Sequence, residues 1–336
     1  MPHLSLAAAT HTGLVRVGNE DSHHVGAHLV AVADGVGGMS AGDRASRMVI
    51  ETLAGLDGPR CFADVRTALQ SAVESANRRI AEELNSDPAI VAAGTTLTAL
   101  VFADDEQRPE LLTPAVASTS QAASSAQGAV TPEAAAQPAP EAAAQSSPQP
   151  EATADPDATA KEPSRDEPDP NMVLAHVGDS RCYRLRAGRF VQLTKDDTFV
   201  QMLVDLGAIS PEQAHDHPQR SVVTRVLRGE PVEVYYAELH ADPQDRYLVC
   251  SDGLPSAVDE PTIAGILAAE PDPAGCVDRL IESALAGGGP DNVTVVIADY
   301  QPQPAADNQP QPAANSQRQP AANNQPQTVR TQPAQP

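Results

Sequence analysis

Five short acidic segments carry the chemical signal in this chain. Asp34 follows the apolar run Leu29 to Ala33 and precedes Gly35-Val36-Gly37-Gly38. Asp252 follows Tyr247 to Cys250 and Ser251, with Gly253 next; Asp291 follows Gly287 to Gly289 and Pro290, with Asn292 next. Asn19-Glu20-Asp21 and Val177-Gly178-Asp179-Ser180 have the same character. A carboxylate at a strand end is held rigidly by its sheet yet faces the edge. Glycine beside it lets the backbone turn and lets a carbonyl or a ligand come close. Carboxylates aimed at one space repel and raise one another's pKa, and hard divalent cations remove that repulsion. An all-oxygen donor set suits Mg²⁺ or Mn²⁺ rather than Zn²⁺. Two such ions sharing a water make it hydroxide-like near neutral pH and clamp a phosphoryl group under attack. Taken singly, an Asp-Gly pair is more often a turn than a site; five such segments together point to a metal site.

The elements that must position these acids are legible. Thr95 to Ala103 and Met172 to Val177 read as strands with apolar residues on both faces, and Arg181 to Leu185 reads as a continuation of the second. Between them, residues 109–170 are rich in Ala, Pro, Gln, Ser and Glu, a composition that predicts disorder. Pairing of the two flanks would leave that segment as a long loop within one domain, since loop-closure entropy grows only with the logarithm of length. Residues 301–336 repeat an eight-residue unit that starts at Gln301, Gln309 and Gln317, has almost nothing to bury, and is also expected to be disordered. The expected organisation is therefore one domain over 1–300, interrupted at about 109–170, with a tail over 301–336.

Phe62 to Leu84 has helical apolar spacing, and Ser40 is placed to cap a helix through Met48, Val49, Leu53 and Leu56. Tyr183 to Leu193 reads as a hairpin turning at Ala187-Gly188. Asp197 to Leu206 and a segment opened by Ser210-Pro211 read as short helices. Val232 to Leu239, Tyr247 to Cys250 and Val293 to Ile297 read as strands; Ile263 to Ala269 and Ala274 to Leu285 read as helices. Hairpin-linked strands beside long helices favour antiparallel sheets packed between helices over a doubly wound parallel sheet.

The net charge of −23 removes any electrostatic reason to bind nucleic acid or an anionic membrane. No run approaches the ~20 apolar residues of a membrane helix, and the first residues lack the features of a signal peptide. Cys61, Cys182, Cys250 and Cys276 include no CxxC pair and sit among apolar residues, as small core side chains of a reducing compartment do. These features predict a cytoplasmic protein.

In order, the motifs resemble those of type 2C metal-dependent protein serine/threonine phosphatases. The match runs through Arg16-Val17-Gly18-Asn19-Glu20-Asp21, Ala33-Asp34-Gly35-Val36-Gly37-Gly38, Gly94-Thr95-Thr96 and His176-Val177-Gly178-Asp179-Ser180-Arg181. It continues through Leu193-Thr194-Lys195-Asp196-Asp197, Cys250-Ser251-Asp252-Gly253-Leu254 and Gly288-Gly289-Pro290-Asp291-Asn292-Val293-Thr294. It covers roughly 4–105 and 171–300 and is similar above all to the bacterial branch that reverses eukaryotic-like Ser/Thr kinases. The resemblance implies an α+β fold, a four-layer α-β-β-α sandwich of two antiparallel sheets flanked by antiparallel helices, with a flap over residues 195–228. It implies hydrolysis of phosphoserine and phosphothreonine in phosphoproteins, with a partner kinase, and two Mn²⁺ or Mg²⁺ ions with a third beside them. Asp34 would bridge two metals, with the Gly35 carbonyl a further ligand. Asp252 and Asp291 would complete the first metal, Glu20 and Asp21 would serve the second, and Asp179 with Asp252 would form the third. Arg16 would bind the substrate phosphate, and Asn292 would orient Asp291. Val36 and Met39 stand where relatives often carry histidine, so no side chain is assigned as general acid and a metal-bound water is the default donor. Pro255 is unusual after Leu254. His23 and His24, His215 and His217, and Arg225 and Arg228 read as structural or solvated groups. The competing reading is a non-catalytic interaction protein on the same fold; a hydrolase for small phosphoesters is a third.

Overall fold

The computed structural model describes residues 3–37, 41–86, 93–104 and 168–301, all within one unit spanning Met1–Pro302. Two sheets face each other. The first runs β1 (His3–His11), β11 (Val293–Gln301), β10 (Arg246–Cys250), β7 (Arg181–Arg186) and β8 (Arg189–Gln192), every neighbour antiparallel. The second runs β2 (Asp21–Val25), β3 (Leu29–Val36), β5 (Leu97–Phe102), β6 (Met172–Val177) and β9 (Tyr235–Leu239), again antiparallel, with β4 (Gly94–Thr95) paired to β3. Helices α1 (Ala41–Leu53) and α2 (Phe62–Ser86) cover the second sheet. Helices α5 (Gly253–Ala257), α6 (Glu260–Ala269) and α7 (Pro273–Ala286) cover the first. The short helices α3 (Phe199–Asp205) and α4 (Pro211–His215) lie between β8 and β9 in the chain, each opened by a side-chain cap from Thr198 or Ser210.

The layering follows from strands that are apolar on both faces. Successive side chains of a strand point to opposite faces. In β3, Leu29, Ala31 and Ala33 pack toward α1 and α2, whereas Val30 and Val32 pack between the sheets. In β10, Leu248 and Cys250 face the helices, whereas Tyr247 and Val249 face the other sheet. Each sheet is thus buried on both sides, which is the four-layer α-β-β-α arrangement. With so few aromatics, the inter-sheet core concentrates them: Phe102 meets Tyr247 edge-on and stacks with Tyr300, ring centroids 5.9 Å apart in both cases.

The flanks of the long intervening segment pair directly, Leu97 with Val177 through Phe102 with Met172. The hairpin at Ala187-Gly188 is present, with positive φ at both residues. Arg181–Arg186 is not a continuation of the preceding strand. β6 belongs to one sheet and β7 to the other, and the chain crosses between them through Gly178, whose φ is +105°. Three more expectations change. Asp21 opens β2 rather than closing a strand, and Asp252 stands at the N-terminus of α5. The Val232 strand starts at Tyr235. The expected Ser40 cap, Met39, most of residues 109–170 and the tail beyond Gln301 lie outside the described residues.

This register yields a test. Replacing residues 105–167 by a short polar turn should preserve cooperative unfolding and raise stability by up to about 2 kcal/mol, from the shorter closure between paired strands. Thermal and urea melts would check it; loss of the cooperative transition would refute the direct pairing.

Candidate metal centre

The acids gather at one end of both sheets. Asp21 and Asp34 are register partners across β2 and β3. Asp252 follows β10 by two residues, and Asp291 precedes β11 by two. Asp179 lies in the crossing from β6 to β7. Burial pushes the Asp34 carboxyl well above the usual carboxylate range, and the charges of Asp21, Asp252, Asp179 and Asp291 push it further. Asp179 is raised in the same way, by burial first and then by Asp252 and Asp196. Burial, then Asp291 and Asp21, lifts Asp252 to about 6. Asp34 and Asp252 keep part of their surface open, yet both sit deep enough among protein atoms for the charged form to be disfavoured.

Uncharged donors hold the cluster from beneath. Asp21 Oδ2 accepts from Ser251 Oγ at 2.8 Å and from Thr294 Oγ1 at 2.7 Å. These bonds oppose the effect of burial, which still leaves Asp21 at about 6. Its Oδ1 is buried with no hydrogen-bond partner. Thr96 Oγ1 accepts from the Asp34 N–H at 2.9 Å and pairs with Ser180 Oγ at 2.8 Å. Asn292 fixes the loop that carries Arg16 and Glu20. Its Nδ2 donates to the carbonyls of Thr12 and Gly18, both at 2.9 Å, and its Oδ1 accepts from the Glu20 N–H at 2.9 Å. Asp291 Oδ1 accepts only the backbone N–H of Asn292, so the amide side chain is a strut for the loop.

Arg16 is more than half exposed, and its Nη2 donates to Asp291 Oδ2 at 2.5 Å. Glu20 sits differently from the aspartates. Its Oε2 lies 2.9 Å, and the Gly35 carbonyl oxygen 2.8 Å, from the same point: the Cβ position that Gly42 leaves empty. Gly35 and Gly42 touch backbone to backbone, since a Cβ on Gly35 would lie 2.3 Å from the Gly42 carbonyl. Nothing in the sequence singled out Gly42, Ser251 or Thr294 as supports. The only available signal was a glycine or hydroxyl residue within or near the motifs.

The other residues noted in the sequence have partners of their own. His24 faces Asp57 at 3.5 Å, and burial lowers the His23 pKa. His217 lies beside Phe199, Arg225 pairs with Asp197 at 2.9 Å, and Arg228 with Glu230 at 2.7 Å. His176 uses one ring nitrogen on Thr98 Oγ1 and the other on the Lys195 carbonyl, both at 2.9 Å. A cleft of about 620 Å³ opens beside the Asp179 turn, lined among others by His176, Asp196, Asp197, Met202, Arg225 and Tyr235. Another of about 560 Å³ lies by Arg246 and Asp299, which pair with each other, and holds none of the clustered acids.

Among the described residues, no group of three or more His, Cys, Asp or Glu side chains is already closed around one ion. The donors nonetheless fit hard cations. They are all oxygens, their charge is crowded, one buried Asp21 oxygen is unpartnered, and Gly42 leaves a cradle between the Gly35 carbonyl and Glu20.

No family model matches the chain. The serine/threonine protein phosphatase PstP of Mycobacterium tuberculosis H37Rv is 40% identical over 296 residues, 88% of this chain. This chain spans 45% of that relative's length. The crystal structure of the PstP catalytic domain in complex with two manganese ions is 37% identical with a TM-score of 0.64, covering 89% of this chain and 99% of that one. The PPM Ser-Thr phosphatase MsPP from Mycobacterium smegmatis, in complex with cacodylate, is 30% identical with a TM-score of 0.62, covering 88% and 98%. This chain belongs to the bacterial PPM family of serine/threonine phosphatases. Its four layers are the fold of those PPM structures, and its acidic cluster is carried at one end of that sandwich.

The electrostatics of this PPM site give a signed prediction. A carboxyl raised by burial binds its proton more tightly in the folded chain than in the unfolded one. That stability is fully present below the ordinary value of about 4 and is lost as pH rises through the folded value. Cation-free protein should therefore melt lower as pH rises from 5 to 7.5, by several degrees. Asp34→Asn should raise the melting temperature in EDTA at pH 7.5 and flatten the slope. Melts across pH, with EDTA present, would check both; a wild-type melting temperature that rises over this range would contradict the reading.

Proposed function

We propose that this chain hydrolyses phosphoserine and phosphothreonine in proteins with the help of divalent cations, Mn²⁺ or Mg²⁺. The observation that carries the reading is the buried all-oxygen cluster of Asp21, Asp34, Asp179 and Asp252, with an arginine at its edge. The PstP complex with two manganese ions supports the choice of cation and the number two. Asp34 would serve both ions, with the Gly35 carbonyl as a further ligand. Asp252 and Asp291 would hold one ion, Glu20 and Asp21 the other, and Asp179 with Asp252 a third. Bound cations supply the positive charge that polarises the phosphoryl group and lowers the pKa of a nearby water.

The residues themselves do the rest. Arg16 offers a planar guanidinium whose paired donors match two phosphate oxygens. Its mostly exposed position lets it take substrate, and Asp291 holds it over the acids until then. Ser251 and Thr294 aim Asp21, and Asn292 keeps the Arg16 loop in register with Glu20. No side chain is assigned as proton donor. His176 is an unsuitable donor because both its ring nitrogens are engaged. We further infer phosphoprotein substrates, a Ser/Thr kinase as the opposing enzyme, and a cytoplasmic setting. Four free cysteines support that compartment. Among the described residues no helix is long and apolar enough to cross a membrane.

Wild-type chain should hydrolyse a chromogenic aryl phosphate and phosphothreonine peptides only with Mn²⁺ or Mg²⁺. Asp34→Asn and Asp252→Asn should abolish turnover, and Arg16→Ala should lower kcat/KM by about 10- to 100-fold. Inactivity of the wild type with both cations would refute the reading and favour an interaction protein on this fold. Gly42→Ala fills the cradle between Glu20 and Gly35. Calorimetric titration with Mn²⁺ should show weakened binding in that variant; unchanged affinity would remove Glu20 and Gly35 from the ligand set.

A further inference from the structure

Beside Arg16 the loop carries apolar side chains that water surrounds. Leu14 is 65% exposed, Val15 68% and Val17 105%. Scattered exposed apolar residues are ordinary on protein surfaces. Three in a run of four, on a backbone fixed at both ends, are not scattered. The Leu14 N–H donates to the Gly289 carbonyl at 2.8 Å, and Asn292 Nδ2 bonds the carbonyls of Thr12 and Gly18. Leu14 leans back on Gly289, its Cγ 3.1 Å from where a Cβ there would sit. Val15 and Val17 have no such anchor. They stand out on either side of the one side chain of the run that reaches an acid of the cluster, Arg16 on Asp291.

We propose that Val15 and Val17 form an apolar rim that reads the residues flanking the phosphorylated side chain of a protein substrate, favouring apolar neighbours over acidic ones. The inference rests on Arg16 as the phosphate ligand. A substrate chain that delivers its phosphate to Arg16 must lay its flanking residues beside the sequence neighbours of that arginine. Valine surface gains free energy by burial against apolar side chains and gains none against a hydrated carboxylate. The charge of the surroundings acts in the same direction. The chain as a whole carries −23, which disfavours acidic flanks. Pinning the loop also means that little ordering is required on binding, which is the condition for a small rim to discriminate.

The experiment compares three substrates in Mn²⁺: a chromogenic aryl phosphate, a phosphothreonine peptide with Leu or Val on both sides, and the same peptide with Asp on both sides. The wild type should prefer the apolar peptide over the acidic one by about tenfold or more in kcat/KM, chiefly through KM. Val15→Ser and Val17→Ser should each reduce kcat/KM for the apolar peptide several-fold more than for the aryl phosphate, which has no flanks. They should also narrow the gap between the two peptides. Equal use of the two peptides by the wild type overturns the proposal. So does a parallel loss on peptide and aryl phosphate in both variants. Failure of the wild type on the aryl phosphate is a different result, since it removes the phosphatase reading beneath the proposal.

Discussion

Asp21, Asp34, Asp179 and Asp252 are held largely out of water and so close together that ionising one makes ionising the next harder. Desolvating a carboxylate costs several kcal/mol even after relaxation. The rest of the fold is arranged so that this crowding persists. β2 and β3 are locked by register, and β10 and β11 bring their acids to the same end. Without the layers of apolar packing on both sides of each sheet, those strand ends would splay and the acids would separate into water. The sandwich holds like charges together against their own repulsion, and a positive counter-charge of small radius is the partner that relieves them.

Around that constraint the chain uses polar struts that carry no charge. Ser251, Thr294, Thr96 and Ser180 hold aspartates or one another beneath the cluster. Asn292 joins the N-terminal loop to the turn before β11 across 272 to 280 residues of sequence. Neutral donors are suited to this task. They orient a carboxylate without cancelling the charge that a cation is to meet. Gly35 and Gly42 complete the arrangement by omission, because any Cβ between them would close the space that their backbones and Glu20 surround.

The fold was legible wherever the pattern was long and apolar. β3, β5, β6, β10, α2 and α7 follow directly from runs whose alternate residues feed two cores. β1 was harder to read. Its Ala-rich stretch carries only modest hydrophobicity, and its pairing with β11 comes from residues almost 300 positions away. Asp21 was legible as an acid but not as the opening of β2, because the next residues, Ser22, His23 and His24, do not look like a strand until β3 pairs with them. In the sequence the crossing at Gly178 looks like a pause in one strand, since a single glycine does not announce a change of sheet. The acids themselves were visible through their glycines. Their supports were not, because Ser251 and Thr294 gain meaning only when two distant strands bring them under Asp21.

β5 and β6 join at two very different ends. At the Leu97–Val177 end lie Thr96, Asp34 and Asp179; at the Phe102–Met172 end the chain leaves toward residue 105 and returns at 168. The distance between those ends is the length of the strands, about 20 Å for six residues. Mutation and insertion can therefore work on the far connection while the near end stays bound to the acidic cluster. A single hairpin divides the gene into a stretch where length is nearly free and a stretch where one methyl group is too many. That division offers a protein family an economical way to vary its appendages without touching its chemistry.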